Sequence, residues 1–353
     1  GDWSSDVCSS DLSLLDRFVV LTGFYGMQYK KILKQTRSAS RKVANTLISI
    51  VGVSTIGALG INFSARAQDS REKQAAKKDN RPNIVLLVAD DMGYSDIQAF
   101  GGEVTSPNIS ALAQAGVKFT NYHVGPSCSP TRSMLLTGLD NHLAGLGQML
   151  ENLTPNQRGH EGYEGVINDK TLPIPQLLQD NGYNTYMVGK WHLGGAEEDE
   201  NHPGEFIGKP PAQQGFMRSF ALLEGGGDHY SNRGFSPVRP INHFSIDGKR
   251  TTQLPPEFKY STDFYTAKME EFIDSNHQDG KPFYAYMAFT APHTPLQVPD
   301  KALIDKYQKI YSQGWDVIRQ QRFDRMKQLG ILPANAEFPP DRKSTRLNSS
   351  HRT

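Results

Sequence analysis

Residues 83–91 have the sequence Asn-Ile-Val-Leu-Leu-Val-Ala-Asp-Asp. The run from 83 to 89 is apolar without alternation, which predicts a central β-strand that is buried on both faces. Two carboxylates follow directly, at Asp90 and Asp91. Because a strand buried on both faces needs helices on each side of its sheet, this stretch predicts an α/β fold.

Short apolar runs and helical stretches continue to alternate after residue 91. The predicted helices are 106–115, 173–180 and 262–276, and the predicted further strands are 117–122, 183–188 and 282–290. This alternation predicts a mostly parallel central sheet with helices on both faces. Residues 195–215 and 225–256 are rich in Gly, Pro, Asn and charge, which predicts long loops over the strand ends.

Reactive side chains recur just after the predicted strands. They are Asp90, Asp91, Lys190, His192 and His293, with Cys128 in the loop and helix entrance after strand 117–122. Active sites of parallel sheets gather outside the carboxyl ends of the strands, so these residues predict one shared site. Each also has an ordinary structural explanation, since adjacent aspartates line turns and a histidine near a proline is common in surface loops.

The charge balance of the chain limits the classes of molecule that it is expected to bind. The 353 residues include 38 Lys and Arg against 37 Asp and Glu, a net charge of +1. No basic field is present to attract nucleic acid or an anionic membrane, so a small molecule or glycan is the expected partner. The two cysteines, Cys8 and Cys128, lie on either side of an apparent export signal, which excludes a disulfide framework.

The first part of the chain predicts export. A basic region from Lys30 to Lys42 precedes the apolar run 46–61 and then Ala65-Arg-Ala67, the order of a secretory signal with cleavage after Ala67. We therefore expect a periplasmic or secreted protein without stable membrane association. A membrane anchor is the alternative, because the apolar run could nearly cross a bilayer.

The expected segments follow from this. They are 1–26 as non-native sequence, 27–67 as signal peptide, 68–80 as linker, 81–340 as a partial catalytic domain and 341–353 as a non-native tail. The two ends resemble translated sequencing adaptors and are excluded from the fold.

Cys128-Ser-Pro-Thr-Arg132 begins a predicted helix that ends at Gly138. Ser129 can cap this helix, Pro130 suits its first position and Gly138 suits a left-handed end. Cys128 then lies at the positive end of the helix, and Arg132, four residues later, shares its face. Together they can meet a tetrahedral oxyanion. The alternative is a reactive or packed thiol at a helix start.

This run resembles the sulfatase signature, in which Cys or Ser, Pro, Arg and finally Thr-Gly occur at these spacings. The similarity, strongest to bacterial arylsulfatases, extends from about Arg81 to Asp341. Three other segments share it: Asp90-Asp91, 189–194 and 291–295. It implies a sulfuric ester hydrolase with an alkaline-phosphatase-like fold, here truncated.

The resemblance implies a modified nucleophile and a metal. A maturase would oxidise Cys128 to Cα-formylglycine, whose hydrate attacks sulfur with one hydroxyl and expels sulfate through the other. Asp90, Asp91 and the hydroxyl of modified Cys128 would ligate the metal. Oxygen ligands of this kind favour Ca²⁺, with Mg²⁺ as second choice.

The remaining roles are also implied by the resemblance. Lys190 would bind the sulfate and the diol, His192 would remove the proton that drives sulfate release, and His293 would hydrogen-bond the bridging oxygen. Lys190 and His192 are two apart in a predicted extended segment, so both should point toward the same ligand. Histidine suits proton transfer because its pKa lies near neutrality.

Two features of the family are missing from this sequence. It has no Asp-Asn pair after a late strand and no corresponding further Lys, so we expect this stretch alone to be inactive. A truncated, non-catalytic remnant that binds sulfated ligands is one alternative function. A phosphonate or phosphate monoester hydrolase of the same fold is another.

Overall fold

The structure, a computed structural model, describes residues 79–198, 205–237 and 239–339. The expected segments 1–26, 27–67 and 341–353 and nearly all of the linker 68–80 lie outside these residues, as does the apolar run 46–61. Among the helices of the described part, none has the length and apolar character that a membrane crossing requires.

A six-stranded mixed sheet forms the centre of the described part. Its strands, with those of a separate hairpin, are β1 (Ile84–Val88), β2 (Asn184–Lys190), β3 (Arg218–Leu222), β4 (Arg233–Ser236), β5 (Arg239–Ile241), β6 (Phe244–Ile246), β7 (Lys249–Thr251) and β8 (Phe283–Ala288). The strand order is β1-β8-β2-β3-β6-β7, and β4 pairs with β5 alone. β1, β8, β2 and β3 are parallel, whereas β6 and β7 are antiparallel. The predicted mostly parallel sheet is confirmed.

Helices surround this sheet. They are α1 (Pro107–Ala115), α2 (Cys128–Thr137), α3 (Ile174–Asp180), α4 (Ser261–Asn276), α5 (Lys301–Tyr311) and α6 (Trp315–Gln328). Short 3₁₀ turns lie at Gln98–Phe100, Leu150–Asn152 and Pro211–Gln213. The three helices predicted at 106–115, 173–180 and 262–276 are confirmed to within about a residue.

The buried strands have a hydrophobic core on each face, because successive side chains of a strand point to opposite sides. Met187 of β2 packs in one core with Leu136 of α2, and Leu178 of α3 packs against that core. Its neighbour Val188 packs in the other core, which includes Phe272 of α4. Helices therefore cover both faces of the sheet at β2. The prediction that 83–89 is a central strand buried on both faces is wrong, because in the described part β1 is an edge strand and Leu87 is 43% exposed.

The strand predicted at 117–122 is wrong. Those residues form no strand, and the side chain of Val117 is 79% exposed. An apolar pattern reports a tendency to be buried, but a strand also needs a partner for its backbone N–H and C=O groups. In the described part, β1 is an edge strand that pairs with β8, and nothing pairs with 117–122.

The prediction of a long loop at 225–256 is wrong in part, since β4 to β7 lie within it. β6 and β7 are joined by Asp247-Gly248, whose φ angles are both positive, +48° and +87°. That geometry is a two-residue hairpin turn, for which Asp-Gly is a preferred sequence. The dipeptide was therefore a signal for a hairpin, although strands of three residues have too little alternation to detect.

A buried carboxylate, that of Glu103, links the segment that follows β1 to helix α6. Arg322 donates to it from Nε and Nη2 at 2.6 and 2.7 Å, and the Tyr311 hydroxyl donates at 2.6 Å. Burial raises the pKa of Glu103, but the hydrogen bonds from Arg322 and Tyr311 outweigh this and lower its pKa to about 2. The folded-state pKa lies below the ordinary 4.5, so this contribution is full above about pH 4.5 and is lost as pH falls toward 2.

Glu103→Gln is therefore expected to lower the free energy of unfolding by on the order of 2 kcal/mol, because the partly buried guanidinium of Arg322 loses one of its two carboxylates and keeps only Asp96. Urea denaturation at neutral pH, followed by circular dichroism, measures this. Asp305→Asn is the matched control, since Asp305 pairs with Lys301 on the exposed surface of α5 and should change little. Equal stability of the two variants would contradict the assignment.

Candidate active site

The carboxyl ends of β1, β2, β3 and β8 lie side by side in the parallel part of the sheet. Asp90 follows β1, Lys190 ends β2, Gly225 follows β3 and His293 follows β8. Cys128 approaches from the first turn of α2 and lines the same cavity as His293 and Gly225. The shared site predicted at this edge is thus formed by residues from four strand ends and one helix start.

Helix α2 begins earlier than predicted. Its first residue is Cys128, its N-cap is the extended Ser127, and no side chain caps it. Ser129 is therefore not the cap, and Pro130 occupies the third position. A proline fits there because the N–H groups of the first turn have no partner within the helix. The predicted end is confirmed, since Gly138 is left-handed at φ +68°.

Asp90 is the buried anion of the site. One oxygen, Oδ2, accepts from Lys190 Nζ at 2.6 Å, and Oδ1 lies 3.2 Å from Arg132 Nη2. Lys190 is completely buried and Arg132 is 2% exposed. Burial raises the pKa of Asp90, but the charges of Arg132 and Lys190 outweigh it and lower the pKa below the ordinary value. Two cations face this one carboxylate, so a positive charge is left for an anionic ligand.

The guanidinium of Arg132 is hydrogen-bonded to the protein through one nitrogen, whereas another has no hydrogen-bond partner in the described residues. Nη1 donates to the backbone oxygen of Lys190 at 2.9 Å and to the Tyr286 hydroxyl at 3.3 Å. Its Nε is buried and has no hydrogen-bond partner in the described residues. Since an unpaired buried donor is costly, this group suits an oxyanion that would accept from it.

Cys128 has an activated thiol. Burial would raise its pKa, but the neighbouring His192 and His293 and the charge of Lys190 lower its pKa to about 6. The hydrogen bond with Cys128 in turn raises the pKa of His293. The titration of Cys128 therefore depends on the two histidines and on Lys190, a dependence that the sequence could only suggest.

The segment from Lys190 to His192 is not extended as predicted. His192 has φ +57°, and the intervening Trp191 is fully buried. The indole N–H of Trp191 donates to the backbone oxygen of Lys209 at 3.0 Å. This turn after β2 directs Trp191 into the core, while Lys190 binds Asp90 and His192 lines the cavity with Cys128.

Asp91 lies apart from the buried cluster. It has φ +64°, its side chain is 61% exposed, and its Oδ2 is 3.7 Å from His293 Nε2. In the described residues, the ligand atoms that come within 4.8 Å of one another belong to Asp90, Cys128 and His293. The two adjacent carboxylates thus differ in environment: Asp90 is buried between two cations, whereas Asp91 is largely exposed.

Glu151 was missed by the sequence analysis. It lies in the 3₁₀ turn Leu150–Asn152, and its Oε1 is 2.8 Å from His192 Nε2. It also lines a cavity of about 420 Å³ with Cys128, His192, His293 and Phe235. No periodicity or motif marks residues 150–152, so only the tertiary structure reveals this contact.

Comparisons with known proteins agree with this geometry. A family model described as Sulfatase matches residues 82–352. An uncharacterised sulfatase of Schizosaccharomyces pombe is 42% identical over 276 residues, which cover 74% of this chain and 46% of that protein. An arylsulfatase of Klebsiella aerogenes is 38% identical over 269 residues, or 75% of this chain and 54% of that protein. The chain therefore spans about half the length of these relatives.

Among solved structures, Ps i-CgsB matches with a TM-score of 0.51 and 29% identity, over 71% of this chain and 56% of that one. Its complex with k-i-k-neocarrahexaose matches with a TM-score of 0.50 and 28% identity, over 71% and 54% of the two chains. The family match over residues 82–352 includes the strand ends and the cluster around Asp90.

Proposed function

This chain belongs to the sulfatase family, and from that premise we propose that it hydrolyses sulfate monoesters, with Cys128 as the residue that becomes the nucleophile. One observation carries the proposal. At the carboxyl edge of the sheet, Arg132 and Lys190 pair with the carboxylate of Asp90, and ligand atoms of Cys128 and His293 come within 4.8 Å of it. His192 lines the same cavity as Cys128. The fold is the alkaline-phosphatase-like α/β fold of the family.

The family implies a formylglycine residue and a metal ion. We propose that a maturase oxidises Cys128, the cysteine of the signature. The modified side chain supplies, as its hydrate, two hydroxyls on one carbon. The lowered pKa of Cys128, about 6, shows that its surroundings already stabilise an anion at this atom.

The binding of the ester follows from the buried cations. A sulfate monoester is a tetrahedral anion, and Arg132 presents an unpaired Nε while Lys190 presents its ammonium group. The start of α2 adds free backbone N–H groups and a partial positive charge. These groups bind and orient the sulfate so that its sulfur faces residue 128.

The histidines suit proton transfer. His192 contacts Cys128 and is positioned to take a proton from the modified side chain. His293 also contacts Cys128, and the resulting rise in its pKa favours its protonated form. We therefore assign His293 to hydrogen-bond the bridging oxygen, where negative charge develops as the alcohol leaves.

The donor set is compatible with a hard metal ion. Asp90 and Asp91 supply carboxylate oxygens, and modified Cys128 would supply a hydroxyl, which together favour Ca²⁺ over Mg²⁺. These residues would hold the metal, which supplies Lewis-acid polarisation of the sulfate. Calcium takes about six to eight oxygen ligands, so water or further residues must complete the site.

The environment of the protein is also a proposal. We infer that the protein acts in the periplasm or outside the cell, because residues 27–67 have the order of a secretory signal. The net charge of +1 supports a small ester substrate rather than nucleic acid or a membrane.

The test begins with the full-length protein made in a host that carries the maturase. Mass spectrometry should show the peptide spanning Cys128 lighter by the exchange of H₂S for oxygen. The modified protein should hydrolyse an aryl sulfate, the ester named in the description of the Klebsiella relative, far faster than the paired aryl phosphate. An unmodified thiol in that host, or preference for the phosphate, would refute the proposal.

A further inference from the structure

Glu151 and His192 form a partly buried pair that none of the sequence motifs includes. The Glu151 Oε1 lies 2.8 Å from His192 Nε2, and the two residues are 41 positions apart in the chain. The side chain of His192 is 9% exposed and that of Glu151 31% exposed. The hydrogen bond therefore joins a largely buried imidazole to a carboxylate that reaches it from the protein surface.

The backbone of Gly225 confines the same ring from another side. A Cβ atom at Gly225 would lie 2.7 Å from His192 Cε1 and 3.0 Å from Nε2, closer than real contacts allow. Glycine at this position therefore lets the chain after β3 pack against the imidazole. Between Glu151 and Gly225, the ring has little freedom to rotate.

The hydrogen bond also selects the tautomer of His192. An ionised carboxylate can only accept, so Nε2 carries the proton of the neutral ring. Nδ1 is buried, has no hydrogen-bond partner in the described residues, and remains able to accept a proton. Burial raises the pKa of Glu151, but the hydrogen bond from His192 outweighs it and lowers this pKa to about 2, so Glu151 is ionised at neutral pH.

We propose that Glu151 is a positioning residue, which holds the His192 ring in place and balances the positive charge that His192 acquires on accepting a proton. This inference rests on the proposed sulfate ester hydrolysis. In the proton transfer, an O–H bond of the modified residue 128 breaks and an N–H bond forms on His192. The imidazole becomes a cation beside an existing carboxylate, and the proton later passes to water.

A positioning role predicts a loss in kcat rather than in KM. Glu151→Ala should lower kcat for an aryl sulfate by about 10²-fold and change KM by less than about 3-fold, because Glu151 is hydrogen-bonded to His192 whereas the proposed sulfate ligands are Arg132 and Lys190. Glu151→Gln keeps an acceptor but loses the charge, so its kcat should fall by only about 10-fold. Added formate should raise the rate of Glu151→Ala, because a small carboxylate can occupy the space that the side chain leaves.

The matched control is Glu161→Gln, which removes an exposed carboxylate paired with Lys170. Both it and the wild type should be indifferent to formate. The inference is overturned if the wild type hydrolyses the ester while Glu151→Ala keeps kcat within about 2-fold or loses affinity alone. Glu151→Gln provides the same comparison if the alanine variant does not fold. A wild type with modified Cys128 and no turnover would instead remove the proposed function, and this inference with it.

Discussion

Cys128→Ala is expected to abolish hydrolysis of an aryl sulfate, with a fall in kcat/KM on the order of 10⁴- to 10⁶-fold, as when other enzymes lose their nucleophile. The side chain at 128 is where both histidines and the charge of Lys190 converge. Without it, neither histidine has a group to exchange a proton with. The measurement is release of the phenol from the full-length protein after co-expression with the maturase.

Binding of the anion should survive this change. Arg132 and Lys190 are held by Asp90 and by backbone contacts rather than by Cys128, so inorganic sulfate should bind Cys128→Ala about as well as it binds the wild type. Ser127→Ala is the control, because Ser127 precedes the helix and makes no side-chain cap. Hydrolysis by Cys128→Ala at the rate of this control would disprove the assignment of the nucleophile.

Asp90→Asn is expected to lower the free energy of unfolding by about 3–5 kcal/mol, because it leaves buried cations without their carboxylate. Lys190 and Arg132 lie 2.6 and 3.2 Å from the two oxygens of Asp90, and both are shielded from water. Urea denaturation in the presence of EDTA measures this effect without a contribution from bound metal. In added Ca²⁺, the wild type should gain more thermal stability than the variant.

A double variant distinguishes the charge effect from simple loss of packing. Asp90→Asn combined with Lys190→Met removes one cation together with the anion, so it should recover part of the stability lost in the single variant. Asp169→Asn is the control, since Asp169 pairs with Lys209 on the surface. If Asp90→Asn is as stable as this control, Asp90 does not neutralise the buried cations.

Local patterns predicted the framework of the fold. The apolar run at 83–89, the runs at 183–188 and 282–290, and the three helices were all found near their predicted bounds. Burial on both faces leaves a direct mark in a sequence, because most side chains of such a strand are apolar. The short strands β6 and β7 were missed, since three residues are too few for a pattern, although Asp247-Gly248 marked their turn.

The sequence by itself also determined which reactive side chains the helix can bring together, because the spacing from Cys128 to Gly138 limits which of them share a helix turn. Only the tertiary structure decided how those groups interact. It buried Asp90 between two cations while leaving Asp91 at the rim, and it placed Glu151 against His192. The physical reason is that hydrogen bonds and pKa shifts depend on distance and burial between residues far apart in the chain, which no local pattern records.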